Sequence, residues 1–290
     1  MPTDQIMKIP LPRRPLGRTG CEVTTFGLGG EGILRTHGRM AEAVRVIHQA
    51  LDAGVSYCDT APAYASSQDY YGAALGERRR EIFLASKTSD RSRDGSLRLL
   101  DDSLRRLRTD HLDLWQLHDL RTAEDLNQIF ARAGAVEALI RAREDGRVRF
   151  LGLTGHHDPD VLLEAMRRFE FDAVLVALNA ADVHRLSFIA TVLPEAVRQG
   201  VGVIGMNVCA QGALLGPGRL SMEEAMGYVL SLEGVSTVIV GCKTPAEVDE
   251  NAGFAQQFAR FDDQRPNELE RRTRRHASAF NYYKKPTRGG

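Results

Sequence analysis

One βα unit of the sequence shows a pattern that recurs along most of the chain. Residues 148–169 read VRFLGLTGHHDPDVLLEAMRRF, a largely apolar run (148–154) followed by a stretch (159–169) with apolar residues at three- and four-residue spacing. Similar strand runs are predicted at residues 24–28, 55–59, 82–87, 112–118, 173–179, 201–207 and 237–241. Helices are predicted at residues 40–53, 96–107, 135–144, 190–199 and 245–257. Eight strands that alternate with helices indicate an α/β protein with a parallel sheet.

The number and character of these units favour a closed (β/α)8 TIM barrel. The strand runs are nearly continuous in apolar residues, as expected for parallel strands covered on both faces. A barrel of this kind needs about 250 residues, and the eight units span residues 24–257. We therefore predict one barrel domain at residues 1–264, with an N-terminal hairpin at 10–23 closing its bottom, and a C-terminal tail at 265–290.

A glycine-rich segment after the first strand suggests a different α/β fold. Residues 27–32 read GLGGEG and match G-x-G-x-x-G, the dinucleotide fingerprint of a Rossmann fold. In that fold the glycines open a helix directly, whereas here residues 33–39 intervene before helical periodicity begins. We therefore interpret the segment as a glycine-rich loop at a strand end, where backbone could approach a ligand closely.

The composition is that of an ordinary globular protein. The 290 residues are 43% hydrophobic and 26% charged, and the formal net charge is zero, so nucleic acid is not the expected partner. The four cysteines are too few for a disulfide framework and form no CxxC pair, so we expect no structural metal site. No long apolar run or leader-like segment is visible, and we expect a cytoplasmic protein without a membrane partner.

Polar residues end the strand runs at regular intervals. They are Asp59, Lys87, His118, Thr154, Asn179 and Asn207, each about one βα unit from the next. The carboxyl ends of barrel strands meet at one mouth, so these side chains are expected to surround a common cleft. Tyr64, in the loop after Asp59, can lean over the same mouth.

Four of these residues make a coherent set for proton transfer to a carbonyl oxygen. A tyrosine with a pKa near 10 is a poor acid at neutral pH, and the ammonium of Lys87 is expected to lower the pKa of Tyr64. Asp59 can pair with Lys87, and His118 can orient the carbonyl. No side chain supplies hydride, so a nicotinamide cofactor must.

Taken singly, each member of this set has an ordinary structural interpretation. Asp59 could cap a loop, Tyr64 and Lys87 could be surface residues, and His118 could be a core histidine. The adjacent His156 and His157 point apart in an extended segment, which favours a loop role with His156 facing the mouth over a metal site.

Three segments around these residues resemble the aldo-keto reductase superfamily. They are YCDTAPAY at 57–64, FLASK at 83–87 and DLWQLH at 113–118, and the resemblance extends from RPLGRTG at 14–20 to Glu250-Asn251. It implies a (β/α)8 barrel that binds NADPH, or less often NADH, and reduces an aldehyde or ketone to an alcohol. Asp59, Tyr64, Lys87 and His118 would be the catalytic residues, with Tyr64 as the proton donor.

The resemblance also implies a set of cofactor-binding positions. They are Gly30, Glu31, Asp59, Thr154, Gly155, Asn179, Met206, Asn207, Gly212, Gly241, Cys242, Lys243, Glu247, Glu250 and Asn251. Several depart from the family pattern: Thr154-Gly155 replaces a Ser-Asn pair, Leu175 replaces a glutamine, and Met206 replaces an aromatic residue. Glu247 stands where an arginine or glutamine is common, and its carboxylate would repel the 2′-phosphate of NADPH. The cofactor preference between NADPH and NADH therefore stays open.

Two alternative functions stay open. A nucleotide-sensing barrel with little turnover is suggested by the departures at Gly155 and Leu175, and the same site could run as an alcohol or sugar dehydrogenase. The carbonyl substrate and the oligomeric state are not indicated by the residues.

The zero net charge conceals an uneven distribution. Residues 265–290 carry eight Lys/Arg and two Asp/Glu, a net charge of +6, so residues 1–264 carry −6. In the family this segment often folds over the mouth, where it could meet an anionic substrate or the cofactor phosphates. We favour a solvated end instead.

Overall fold

The protein is a closed barrel of eight parallel strands. The structure is a computed structural model, and it describes residues 9–286. The strands are β3 (Phe26–Leu28), β4 (Tyr57–Asp59), β5 (Phe83–Thr88), β6 (Leu112–Leu117), β7 (Val148–Gly155), β8 (Ala173–Ala177), β9 (Gly202–Met206) and β10 (Val235–Val240). They pair in chain order, and β10 closes the barrel against β3. The predicted TIM barrel is confirmed.

Helices cover the outside of the barrel. They are α1 (Met40–Asp52), α2 (Ser67–Ala74), α3 (Arg93–Leu107), α4 (Ala123–Ile129), α5 (Ala135–Glu144), α6 (Pro159–Arg168), α7 (Val192–Gln199), α8 (Met222–Ser231), α9 (Pro245–Gln257), α10 (Gln264–Thr273) and α11 (Ala277–Phe280). All six predicted helices are present. In α6, Asp158 caps the first turn by accepting a hydrogen bond from Asp160 N–H, and Pro159 occupies the first helical position.

A hairpin closes the bottom of the barrel, as predicted for residues 10–23. Strand β1 (Arg13–Pro15) pairs antiparallel with β2 (Glu22–Thr24). Leu16 and Val23 are completely buried and belong to one cluster with side chains from seven barrel strands, β4 to β10. The barrel interior is therefore filled with side chains from below, and a ligand can enter only at the opposite end.

The glycine-rich segment does not form a Rossmann motif. Gly27 and Leu28 belong to β3, and a short 3-10 turn at Gly32–Arg35 follows the loop. This loop lies against β10 through the hydrogen bond from Gly29 N–H to Val240 O, 2.9 Å. The interpretation as a strand-end loop is confirmed.

The C-terminal segment packs on the barrel, and the expectation of a solvated end is wrong for residues 265–286. Arg265 and Arg272 of α10 form ion pairs with Glu224 of α8 at 2.6 and 2.8 Å. Lys284 and Asp182 form a completely buried ion pair at 2.5 Å. Four cations of the tail, Arg265, Arg272, Lys284 and Lys285, thus pair with carboxylates of the acidic barrel. Residues 287–290 lie outside the described residues.

Within residues 9–286, none of the helices has the length and apolar character to span a bilayer.

Candidate functional site

Strands β4 and β5 bring a lysine and an aspartate together at the mouth. Asp59 is the last residue of β4, and Lys87 lies near the end of β5. Lys87 Nζ donates hydrogen bonds to Asp59 Oδ1 and to the Thr60 carbonyl, the latter at 2.9 Å. Both side chains are completely buried. Gln116 Nε2 donates to the other carboxylate oxygen of Asp59 at 3.4 Å, so the ion pair has a fixed orientation.

Tyr64 lies directly beside this ion pair. Lys87 Nζ is 4.7 Å from the centre of the Tyr64 ring, and the His118 ring meets it edge-on at 5.7 Å between ring centres. The loop after β3 leaves room for the tyrosine, since a Cβ on Gly30 would lie 2.5 Å from Tyr64 Cδ2. The structure therefore brings all four predicted catalytic residues to one place.

The ionisation of these residues follows from their burial. Burial raises the pKa of Tyr64 above its usual value, and the positive charge of Lys87 offsets this only in part. Lys87 thus lowers the pKa of Tyr64, as expected from the sequence, but the effect of burial is larger and was not foreseen. Burial and the nearby Lys87 charge lower the pKa of His118 to about 3. Burial alone would lower the pKa of Lys87. Its interactions with Asp59 and Tyr64 outweigh the effect of burial and raise that pKa.

A cavity of about 750 Å³ opens above these residues at the mouth. Tyr64, Lys87 and His118 line it together with the loop after β6 and residues of the C-terminal segment. His156 faces this cavity, as predicted, and stacks on Tyr283 with 5.4 Å between ring centres and 13° between planes. The tail thus forms part of the wall.

A second cleft of about 550 Å³ joins the first at Tyr64. It runs between the glycine-rich loop, the turn after β9 and the N-terminus of α9. Of the predicted cofactor positions, it is lined by Gly30, Glu31, Asp59, Met206, Asn207, Gly212, Gly241, Lys243, Glu247, Glu250 and Asn251. At Gly212 nothing lies within 4 Å of the position that a Cβ would take, so a ligand can approach the backbone there.

The remaining predicted cofactor positions lie elsewhere. Thr154 lines the mouth cavity, whereas Gly155 and Cys242 line neither cavity. Asn179 is completely buried; its Nδ2 donates to Tyr283 Oη at 3.0 Å and to the Asn207 carbonyl at 3.1 Å. The Nδ2 donor of Asn179 is therefore already used within the protein and is not free to bind a cofactor in this arrangement.

Glu247 occupies the first turn of α9, facing the second cleft. Its Oε2 accepts a hydrogen bond from Lys243 N–H at 2.7 Å, and its own N–H donates to Thr244 Oγ1 at 3.2 Å. A helix N-terminus attracts anions, but here the Glu247 carboxylate already accepts the hydrogen bond of Lys243 N–H just before the helix, and Thr244 Oγ1 accepts that of Glu247 N–H.

Sequence reasoning missed several residues of the site. Gln116 orients Asp59, and its place two residues before His118 on β6 was the signal. Gln211, which lines both cavities, lies in a turn after β9. Tyr283 reaches the mouth from a point 104 residues after its hydrogen-bond partner Asn179, and no local sequence pattern marks it.

The predicted absence of a metal site stays a prediction. Among residues 9–286, no three His, Cys, Asp or Glu side chains are grouped so that they could hold a metal ion.

Comparison with curated proteins finds oxidoreductases. The chain is 27% identical to an L-galactose dehydrogenase from Arabidopsis thaliana over 84% of this chain and 88% of that protein. It is 27% identical to a 6-dehydroglucose reductase from Novosphingobium aromaticivorans over 80% of this chain and 81% of that protein.

Comparison with solved structures finds the same barrel. The holo form of an aldo-keto reductase from Bacillus halodurans superposes with a TM-score of 0.77, covering 90% of this chain and 96% of that one at 23% identity. The family model for the aldo/keto reductase family matches residues 25–225, a range that contains all four predicted catalytic residues. The chain therefore belongs to the aldo/keto reductase family, whose members are NAD(P)H-dependent oxidoreductases.

Proposed function

We propose that this protein reduces an aldehyde or ketone to an alcohol and that Tyr64 protonates the carbonyl oxygen. The observation that carries the proposal is the place of Tyr64, which lines both the mouth cavity and the second cleft. A carbonyl group in the mouth could therefore meet a cofactor in the cleft at the tyrosine hydroxyl. Consumption of a reduced nicotinamide cofactor with an aldehyde tests the proposal; binding without consumption would favour a sensor.

Lys87 is proposed to make Tyr64 a better acid. The buried ammonium stabilises the phenolate that remains after the proton has left, and Asp59 keeps the ammonium charged at the barrel mouth. Without Lys87, burial alone would hold the proton on Tyr64.

His118 is proposed to orient the carbonyl oxygen as a neutral imidazole. Its pKa of about 3 leaves the ring uncharged near neutral pH, so it can donate one hydrogen bond and cannot act as a cation.

The second cleft suits a nicotinamide dinucleotide. We propose that Gly30, Met206, Asn207 and Gly212 hold its central part, and that Lys243, Glu250 and Asn251 hold the adenosine end. When bound, the reduced cofactor supplies the hydride that no side chain can supply. The cleft volume of about 550 Å³ lies within the usual range for cofactor sites.

The pH profile of kcat/KM for reduction is expected to show no titration of His118. Since the imidazole is neutral above about pH 4, kcat/KM should stay level between about pH 5 and 8. It should fall only at alkaline pH, where Tyr64, with its raised pKa, loses the proton that it must donate. An initial-rate profile checks this, and a step near pH 6.5 would show that His118 titrates instead.

Glu247 is expected to weaken the preference for NADPH. The Glu247→Gln variant removes the charge that would repel a 2′-phosphate in the cleft, and it keeps an oxygen acceptor for Lys243 N–H. The dissociation constant for NADPH should fall by about 3- to 10-fold, while that for NADH should change little. Fluorescence titration measures both constants. Equal changes in the two dissociation constants would show that Glu247 does not discriminate against the 2′-phosphate.

A further inference from the structure

All three side-chain nitrogens of Arg91 donate hydrogen bonds around the loop that carries His118. Arg91 lies between β5 and α3, and its Nη1 and Nη2 donate to the carbonyls of His118 at 2.9 Å and Asp119 at 3.1 Å. Its Nε donates to Asp125 Oδ1 at 2.8 Å, in the first turn of α4. A single guanidinium therefore connects the end of β6 to the helix that follows it.

The backbone held by Arg91 is the point at which the chain leaves β6. His118 is the first residue after the strand, and its N–H still donates to the Thr88 carbonyl of β5 at 2.8 Å. The next residue, Asp119, has a φ of +54°, and its N–H donates to Thr154 Oγ1 at 2.7 Å. A left-handed conformation in a residue other than glycine persists when the surrounding contacts fix it. The two hydrogen bonds from Arg91 are among those that do so here.

The anchor of this loop is itself rigid and mostly buried. The side chains of Arg91 and Asp125 are only 16% and 19% exposed. Asp125 Oδ2 accepts hydrogen bonds from the N–H groups of Arg121 and Thr122 at 3.0 Å each, so the carboxylate that holds Arg91 is fixed in turn. The planar guanidinium presents its donors in fixed directions, and here the three acceptors match those directions.

The same loop places the His118 ring in the site. This ring lines the mouth cavity and meets the Tyr64 ring edge-on. The imidazole is joined to the backbone only two residues before the turn at Leu120, whose N–H donates to the Thr154 carbonyl at 2.9 Å. A displacement of about 1 Å in a positioned group can lower a rate by about 100-fold. The hydrogen bond from Arg91 to the His118 carbonyl therefore bears directly on where the imidazole lies.

We propose that Arg91 is a positioning residue for carbonyl reduction: its guanidinium fixes the backbone of His118 and thereby the imidazole that orients the carbonyl oxygen. This inference rests on the proposed reductase function and extends it to a residue outside the group of four. Arg91 itself takes no part in proton or hydride transfer.

The charge of Arg91 has a smaller part than its geometry. Burial and the charge of Lys87 are the largest causes of the lowered pKa of His118; Arg91 and His156 act in the same direction, and Asp119 opposes them. A lysine at position 91 keeps the positive charge but is a single point donor that cannot reproduce the three directions of the guanidinium. The Arg91→Lys variant therefore tests the geometry alone.

A double-mutant cycle with His118 tests the proposal. With the full chain, NADPH and 4-nitrobenzaldehyde, we expect Arg91→Lys to lower kcat by about 10-fold. The dissociation constant for NADPH should stay within about 2-fold of the native value, because Arg91 does not line the second cleft. In a His118→Ala background, followed by single-turnover rates, the same change should lower the rate by less than about 2-fold. A native kcat in Arg91→Lys, or an equal loss in both backgrounds, would overturn the inference.

Arg79 provides a matched control at the other end of the same two strands. It donates to the carbonyls of Ile82 at 3.2 Å and His111 at 3.0 Å, directly before β5 and β6, and pairs with Asp113 at 2.9 Å. Arg79→Lys thus loosens a comparable set of bonds far from the mouth and should leave kcat unchanged, whatever it does to the urea midpoint. A loss of kcat as large as that in Arg91→Lys would show that general loosening of the barrel is the cause, which would refute a specific role for Arg91.

Asp125→Asn keeps the test available if Arg91→Lys does not fold. The native arginine stays in place, but a neutral amide oxygen holds it less strongly than a carboxylate does. We expect kcat to fall by about 3-fold, and this loss should disappear in the His118→Ala background. No loss, or the same loss in both backgrounds, would contradict the proposal.

The same measurements separate failure of this inference from failure of the proposed function. If the native chain reduces the aldehyde but the effects of Arg91→Lys and His118→Ala are additive, the inference alone is wrong. If the native chain binds NADPH and reduces no aldehyde, the reductase function is wrong and the inference falls with it.

Discussion

The Tyr64→Phe variant is expected to lose carbonyl reduction while it still binds the nucleotide. The ring stays, with its contacts to Gly30, Lys87 and Arg35, and only the hydroxyl is lost. Removing a general acid lowers a rate by about 10²- to 10⁴-fold. We therefore expect kcat to fall by that factor, with a dissociation constant for the cofactor within about 2-fold of the native value. Stopped-flow turnover and fluorescence titration measure the two quantities.

Tyr71→Phe is a suitable control for this variant. Tyr71 is completely buried and lines neither cavity. Removal of its hydroxyl should leave kcat unchanged. Native turnover in Tyr64→Phe would refute the assignment of the proton donor, and loss of nucleotide binding would show that the hydroxyl serves the cofactor instead.

The Lys87→Met variant is expected to lose both stability and activity. It leaves the carboxylate of Asp59 buried without its cation, and removing one partner of a buried ion pair costs about 3–5 kcal/mol in the free energy of unfolding. It also removes the charge that stabilises the Tyr64 phenolate, so kcat should fall by about 10²-fold or more. Urea denaturation and initial rates measure the two losses separately.

A double variant distinguishes the two roles of Lys87. Lys87→Met with Asp59→Asn removes both charges, so most of the lost stability should return while kcat stays low. If the double variant regains activity, the ammonium is needed only to compensate Asp59. If Lys87→Met alone is as stable as the native protein, the account of the buried pair is wrong.

The barrel was predictable because each of its strands is buried on both faces and each predicted helix is amphipathic. The apolar runs ending at Asp59 and Lys87 reveal the strands without any tertiary information. Helix α8 was missed because it is buried on nearly all sides, so its sequence lacks the alternation of polar and apolar faces. Helix α10 was missed for the opposite reason, since it is mostly polar and is held by ion pairs to Glu224.

The meeting of Asp59, Lys87 and His118 at one mouth was predictable from the strand ends, but the ionisation of the proposed catalytic residues was not. Strand order places Asp59, Lys87 and His118 at one mouth, whereas the pKa of Tyr64 depends on burial, which the sequence does not show. The tail contacts depend on residues such as Asn179 and Tyr283, which lie 104 positions apart. Local periodicity carries no information about such pairs. The charge count led us to expect a solvated tail, whereas four of its cations pair with carboxylates of the barrel.

The central proposal is that a nicotinamide cofactor in the second cleft reduces a carbonyl group in the mouth cavity. The most direct measurement mixes the purified chain with reduced nicotinamide cofactor and a panel of aldehydes, and follows cofactor absorbance and alcohol product together. The account predicts that one alcohol forms for each cofactor oxidised and that Tyr64→Phe abolishes both signals. Tight cofactor binding with no oxidation by any aldehyde would contradict it and indicate a nucleotide-sensing barrel.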